Sequence, residues 1–138
     1  MIETMSAADY QAKIASSSKT KRNDYEHREQ VALFYWSGLM LRKYPELELL
    51  FAIPNGGQRH KVAAMKLKAE GVKSGVPDVM LPVARKKYHG LFIEMKFGKN
   101  KTSENQNIWI ENLKQQKYKV EVCYSAEEAQ NVIEKYLN

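Results

Sequence analysis

The stretch "GVPDVMLPVARKKYHGLFIEMKF", residues 75–97, decides the fold. Residues 78–83 and 90–97 are two apolar runs, and the short basic link "ARKKYH" (84–89) joins them. Two such runs with a short connection read as an antiparallel hairpin. Strands favour β-branched and aromatic residues, yet this hairpin carries Asp78, Glu94 and Lys96. Side chains alternate across a strand, so Leu91, Ile93, Met95 and Phe97 share one face, and Phe92, Glu94 and Lys96 share the other. A hairpin centred on residue 86 sets Asp78 opposite Glu94, and one centred on residue 87 sets it opposite Lys96. Both centres keep Asp78 on the Glu94–Lys96 face, because a slip of two residues preserves the side.

Two carboxylates and an ammonium therefore converge from distant positions. Repulsion within a carboxylate pair is relieved by a divalent cation or a nearby lysine. Hard oxygen ligands suit Mg²⁺ or Mn²⁺. A cation held there acidifies water and polarises a phosphoryl oxygen, and Lys96 can orient the water or neutralise charge on the phosphate. The plain alternative is a cross-strand salt bridge on a solvated sheet. Two features weigh for the site: a glycine in "SGVPD" that would admit a phosphate backbone, and the charge balance of the chain.

That balance is 22 Lys plus Arg against 16 Asp plus Glu in 138 residues, a net charge of +6. It favours a polyanionic partner, nucleic acid first. No apolar run approaches the ~20 residues of a membrane span. The N-terminus lacks the basic-then-apolar order of a signal peptide, so a cytoplasmic protein is expected. A single cysteine, Cys123, excludes an internal disulfide and a cysteine-based metal site, and it reads as a small buried apolar residue.

Working outward, residues 1–22 are polar, serine-rich and basic, and read as a flexible tail before one domain at 23–138. A helix capped by Asn23 or Asp24 follows, with Val31, Phe34, Tyr35 and Leu39 at helical spacing, ending near Tyr44-Pro45. "LLFAI" is a strand, "PNGG" a turn, and "RHKVAAMKLKAEG" a helix closed by Gly71. After the hairpin, Ser103 to Gln106 is a capping box opening a helix with Ile110 and Leu113 inward. "KVEVCY" is a fourth strand. Ser125 to Glu128 opens a last helix, with Ala129, Val132, Ile133 and Leu137 toward the core. The order is α-β-α-β-β-α-β-α. The strand–helix–strand unit from Leu91 to Tyr124 is expected as a right-handed parallel crossover. The fold class is α/β, a mixed four-stranded sheet flanked by helices.

"GVPDVMLPV…GLFIEMK…SENQNIWIENLKQQKYKVEVCYSAEEA", with the upstream "EHREQ" and "FAIPNGGQR", resembles the VRR-NUC domain, a branch of the PD-(D/E)XK nuclease superfamily. The resemblance covers roughly residues 24–138. It implies a restriction-endonuclease-like core and Mg²⁺- or Mn²⁺-dependent hydrolysis of DNA phosphodiesters. On that resemblance Asp78 and Glu94 are the acidic ligands and Lys96 the catalytic lysine. Glu26 supplies a carboxylate from the first helix, with Glu29 as the alternative and Gln30 one turn on. The Met95 carbonyl is a further metal ligand, and Gln106 touches the site from behind. Small stand-alone members of such families suggest a homodimer acting on branched DNA such as four-way junctions, in a bacterial or phage-infected cytoplasm. Flap or nicking activity on simpler DNA is the nearest alternative, and a DNA-binding module without catalysis the next. No nucleotide cofactor is expected.

Several residues read as phosphate contacts. Asn55, Gln58 and Arg59 lie near a helix N-terminus. Lys86 and Lys87 in "ARKKYH", and Lys99 and Lys101 in "KFGKNK", read as basic segments flanking the site. His27, His60 and His89 form no metal spacing, and Trp36 and Trp109 fall at apolar helical positions.

Overall fold

The computed structural model describes residues 6–54 and 61–138. Its elements are α1 (Ala7–Leu39), a 3₁₀ turn (Pro45–Leu49), β1 (Phe51–Ala52), α2 (Lys61–Ala69), β2 (Val79–Leu81), β3 (Leu91–Met95), α3 (Glu104–Gln115), β4 (Lys119–Cys123) and α4 (Ala126–Leu137). The element order is the expected one, with the 3₁₀ turn added.

The helix start differs from expectation. The first helix begins at Ala7 rather than at Asn23, so residues 7–22 are helical. Ser6 is the cap, accepting from Asp9 N at 3.1 Å. The physical reason is propensity: residues 7–37 hold neither proline nor glycine, and Ala, Lys and Gln favour helix even without an apolar stripe. Residues 1–5 lie outside the described residues.

The sheet order is β1-β2-β3-β4. β1 and β2 pair antiparallel, β2 and β3 antiparallel, and β3 and β4 parallel across α3. Val79 pairs with Ile93 and Leu81 with Leu91, so the hairpin is centred on residue 86. At the turn, Arg85 and Tyr88 exchange backbone bonds of 3.1 and 2.9 Å. One sheet face, with Val79, Leu81, Leu91, Ile93, Met95 and Cys123, packs on Leu33 of α1 and Ala129 and Ile133 of α4. The opposite face carries Phe92 and Glu94 toward α3.

On α1, Val31, Tyr35 and Leu39 do share a face, but it is the outer one, and each is more than half exposed. The core side is Leu33, with Phe34, Trp36 and Met40 packed beside it. Ile110 and Leu113 of α3 are half-buried rather than core. Cys123 is buried, which pushes its thiol up to about 12 and keeps it unreactive at neutral pH.

Candidate active site

Asp78 is held from two sides. Its carbonyl accepts from Ile53 N at 2.7 Å, tying it to β1. Its side chain reaches the other way, with Met95 N donating to Oδ2 at 2.8 Å. Buried Pro77 precedes it and restricts the backbone of the approach. The β2–β3 register, continued by one residue, sets Asp78 across from Glu94.

Glu94 is only 3% exposed. Gln106 Nε2 donates to its Oε1 at 3.0 Å. Its Oε2 is buried and has no hydrogen-bond donor among the described residues. The group facing Glu94 is the Asp78 carboxylate, close enough to share a hydrogen when one of the two holds a proton. Burial raises the Glu94 pKa to about 9; the Asp78 charge and the contact with it add to the rise, and Lys96 opposes it. Two close carboxylates, one buried with an orphaned oxygen, are the donor set a hard divalent cation fits.

Glu26 sits across from this pair on α1. Burial raises its pKa first; Lys96 lowers it, Asp78 raises it and Arg22 lowers it, so Glu26 lies in the field of the same groups. Its neighbour Glu29 turns to α4, where Oε1 accepts from Ala126 N at 3.3 Å. Of the two, Glu26 is the one that lies in the field of Asp78 and Lys96. Tyr25 fixes this part of α1: its hydroxyl donates to Tyr124 O at 3.2 Å and its ring meets Phe97 edge-on at 4.8 Å. Sequence spacing alone shows neither contact. Gln30 lies half-buried one turn on. Among the described residues no group of three or more His, Cys, Asp and Glu side chains is gathered to hold a metal. Glu26 is an electrostatic neighbour of the pair.

Gln106 serves two ends of one side chain. Its Oε1 accepts from Ser103 N at 2.9 Å and its Nε2 binds Glu94, so the capping box that starts α3 also aims the amide at the site. Lys96 follows β3, with its backbone N–H donating to Cys123 O at 2.9 Å. Lys99 and Lys101 are exposed on the loop after β3, at the same end of the sheet. Lys21 and Arg28 line a cleft with Asp24, Tyr25, His27 and Phe97, a long-range meeting of α1 with the end of β3 that no local sequence pattern announces.

Three expectations change or go unplaced. Lys86 and Lys87 stand at the hairpin turn, the opposite end from Asp78 and Glu94, and so do not flank the site. Gly75 in "SGVPD" faces the backbone of Asn105 rather than open solvent, so it admits a helix and not a phosphate. Asn55, Gln58, Arg59 and His60 lie outside the described residues.

Among curated proteins no match is found. Comparison with protein-family models matches residues 6–127 to the VRR-NUC domain. A solved structure titled "VRR_NUC domain protein" is similar, with 29% identity and a TM-score of 0.67 over 82% of this chain and 88% of that one. The buried carboxylate pair, the lysine beside it and the mixed sheet that carries them thus sit in a matched frame spanning most of the chain: it belongs to the VRR-NUC domain family and has that family's nuclease-type fold.

Proposed function

We propose that the chain is a Mg²⁺- or Mn²⁺-dependent DNA endonuclease. The observation that carries this reading is the Asp78–Glu94 pair with Glu94 Oε2 buried and lacking a donor. Asp78 and Glu94, with the Met95 carbonyl beside them, would hold the cation. When bound, the cation supplies a Lewis acid for the phosphoryl oxygen and acidifies water.

The chain's own residues do the rest. Gln106 Nε2 donates to Glu94 Oε1 and holds it in one rotamer, and Met95 N–H holds Asp78, so both carboxylates are placed before substrate arrives. Lys96 carries a positive charge toward the same face, suited to the charge that develops on a phosphate under attack. Glu26 is positioned to accept or hold a proton at its carboxylate near Lys96. Lys99, Lys101, Lys21 and Arg28 supply phosphate contacts at this end.

The test is cleavage of labelled linear, flap and four-way DNAs with and without each cation. Cleavage is expected with Mg²⁺ or Mn²⁺ and is lost in chelator, with the four-way junction the preferred substrate. Cleavage unaffected by chelator would overturn the assignment.

A four-way junction needs two cuts and so two sites. The exposed stripe of Val31, Tyr35 and Leu39, one helical turn apart on α1, supports a homodimer. Tyr35→Glu is expected to weaken self-association by about thirtyfold, the effect of losing one interface anchor. Light scattering after gel filtration reads this; a monomeric wild type would remove the dimer from the proposal.

A further inference from the structure

A groove of about 800 Å³ lies at the far end of the sheet from the carboxylates. It is lined by Lys87 of the hairpin turn, Lys114 of the last turn of α3, Lys117 of the α3–β4 connection and Lys119 at the start of β4. The one carboxylate in it, Glu121, is paired with Lys119 at 3.1 Å. The groove therefore holds +3 of the chain's net +6.

Two observations separate this groove from scattered surface charge. First, its ammonium groups are arranged: Lys87 and Lys119 lie over the ring of Tyr88, at 5.6 and 5.4 Å from its centroid. Second, the backbone is strained here. Among the described residues, the non-glycine residues with positive φ are Lys86 (52°) and Lys117 (67°), both at this end. Left-handed φ costs an L-residue about 1–2 kcal/mol, and glycine adopts it freely. A helix C-terminus ordinarily places glycine where Lys117 stands. Helix-dipole compensation accounts for Lys114 but not for a lysine held left-handed, nor for Lys87 on another element.

We infer that this groove is a second DNA-contact surface, which holds backbone phosphates of the substrate away from the cleavage point. The inference rests on the nuclease reading above. The charges come from a turn, a helix end and a strand start, so they are spread along a groove, as suits a chain of phosphates. Lys87 lies seven residues before Glu94, in the turn that precedes β3, so the two are at most roughly 23 Å apart at about 3.3 Å per residue, the length of about seven base pairs of duplex at 3.4 Å. A duplex longer than that, passing over the outside of the domain, is long enough to reach both ends of the sheet.

The test measures binding of a labelled 20-base-pair duplex in chelator, from low to moderate salt, together with melting temperature. Lys117→Gly is expected to raise the melting temperature by about 2–5 °C while weakening binding about two- to fivefold and lowering the salt slope by about one. The double variant Lys114→Glu/Lys117→Glu is expected to lose at least about tenfold. Lys135→Glu, an equal charge reversal per site on α4, is the control and should change binding less than about twofold. Wild-type affinity and salt slope in both groove variants would overturn the groove and leave the nuclease reading intact. A fall of melting temperature and binding together in Lys117→Gly would assign that lysine to structure and also overturn it. A wild type with no salt-sensitive DNA binding would overturn both readings.

Discussion

Glu94→Gln is expected to lower DNA cleavage by at least about a thousandfold and, in chelator at pH 8, to raise the melting temperature. The first effect follows from the donor set. A divalent cation contributes several kcal/mol of charge stabilisation, and about 4 kcal/mol corresponds to about a thousandfold in rate. Gln removes the charge that recruits it but keeps the shape. Its amide oxygen still accepts from Gln106, and its NH₂ can donate toward Asp78. The second effect follows from burial. The folded-state pKa of Glu94 is raised from 4.5 to about 9. Below about pH 4.5 the carboxyl is neutral in the folded and the unfolded chain alike, and its contribution to stability is fully present. From there to about pH 9 the unfolded chain releases the proton and the folded chain retains it, so stability declines as pH rises, by at most about 1.4 kcal/mol per unit. Gln is neutral throughout and escapes this decline. Melting curves in chelator from pH 5 to 9 check it: the wild type should fall relative to Glu94→Gln as pH rises. Asp78→Asn should abolish cleavage to a similar degree while keeping an acceptor for Met95 N–H, and it should partly flatten the pH profile because one source of the Glu94 rise is gone. Parallel wild-type and Glu94→Gln profiles would mean that Glu94 is ionised and well solvated.

The hairpin was legible because strand alternation is a local rule. Alternation put Glu94 and Lys96 together, and parity put Asp78 with them under either register. The register itself was open to two positions, since the turn is made by Arg85 to Tyr88 with Lys86 left-handed, a geometry no residue type there announces. Gln106 was legible in part: its capping-box spacing is local, while its bond to Glu94 depends on where α3 lands. What escaped was long-range. Glu26 and Glu29 fit the same helix equally well until α4 claims Glu29 through Ala126 N–H. The first four turns of α1, residues 7–22, escaped because helix propensity without an apolar stripe resembles a polar tail. Lys86 and Lys87 are near Glu94 in sequence, yet an antiparallel turn carries them to the other end of the strand. The glycine of "SGVPD" had the right constraint and the wrong neighbour.

That glycine gives the largest stability effect expected from a single methyl group. Gly75 has φ +88°, and a Cβ there would lie 2.8 Å from Asn105 C and 2.9 Å from Asn105 O. Both atoms are backbone of the first turn of α3, so neither can swing aside. Gly75→Ala therefore combines a left-handed alanine, about 1–2 kcal/mol, with overpacking of about 1–3 kcal/mol. A loss of about 2–5 kcal/mol is expected, read as a fall of roughly 6–20 °C in melting temperature. The displacement also reaches the site. Asn105 adjoins Gln106, whose Nε2 stands 3.0 Å from Glu94 Oε1, and Asn105 Nδ2 is bonded to Ser74 at 3.3 Å. Pushing this turn outward lengthens the Gln106–Glu94 bond and frees the Glu94 rotamer. A misplacement of about 1 Å costs about a hundredfold in rate. Gly71→Ala separates the two causes: Gly71 also has positive φ, +99°, but a Cβ there meets nothing within 4 Å. It should cost only the backbone term, about 1–2 kcal/mol, and leave cleavage at the wild-type rate. Equal losses of stability and rate in the two variants would show that left-handed strain, and not the contact with Asn105, makes Gly75 necessary, and would detach the "SGVPD" loop from the positioning of Glu94.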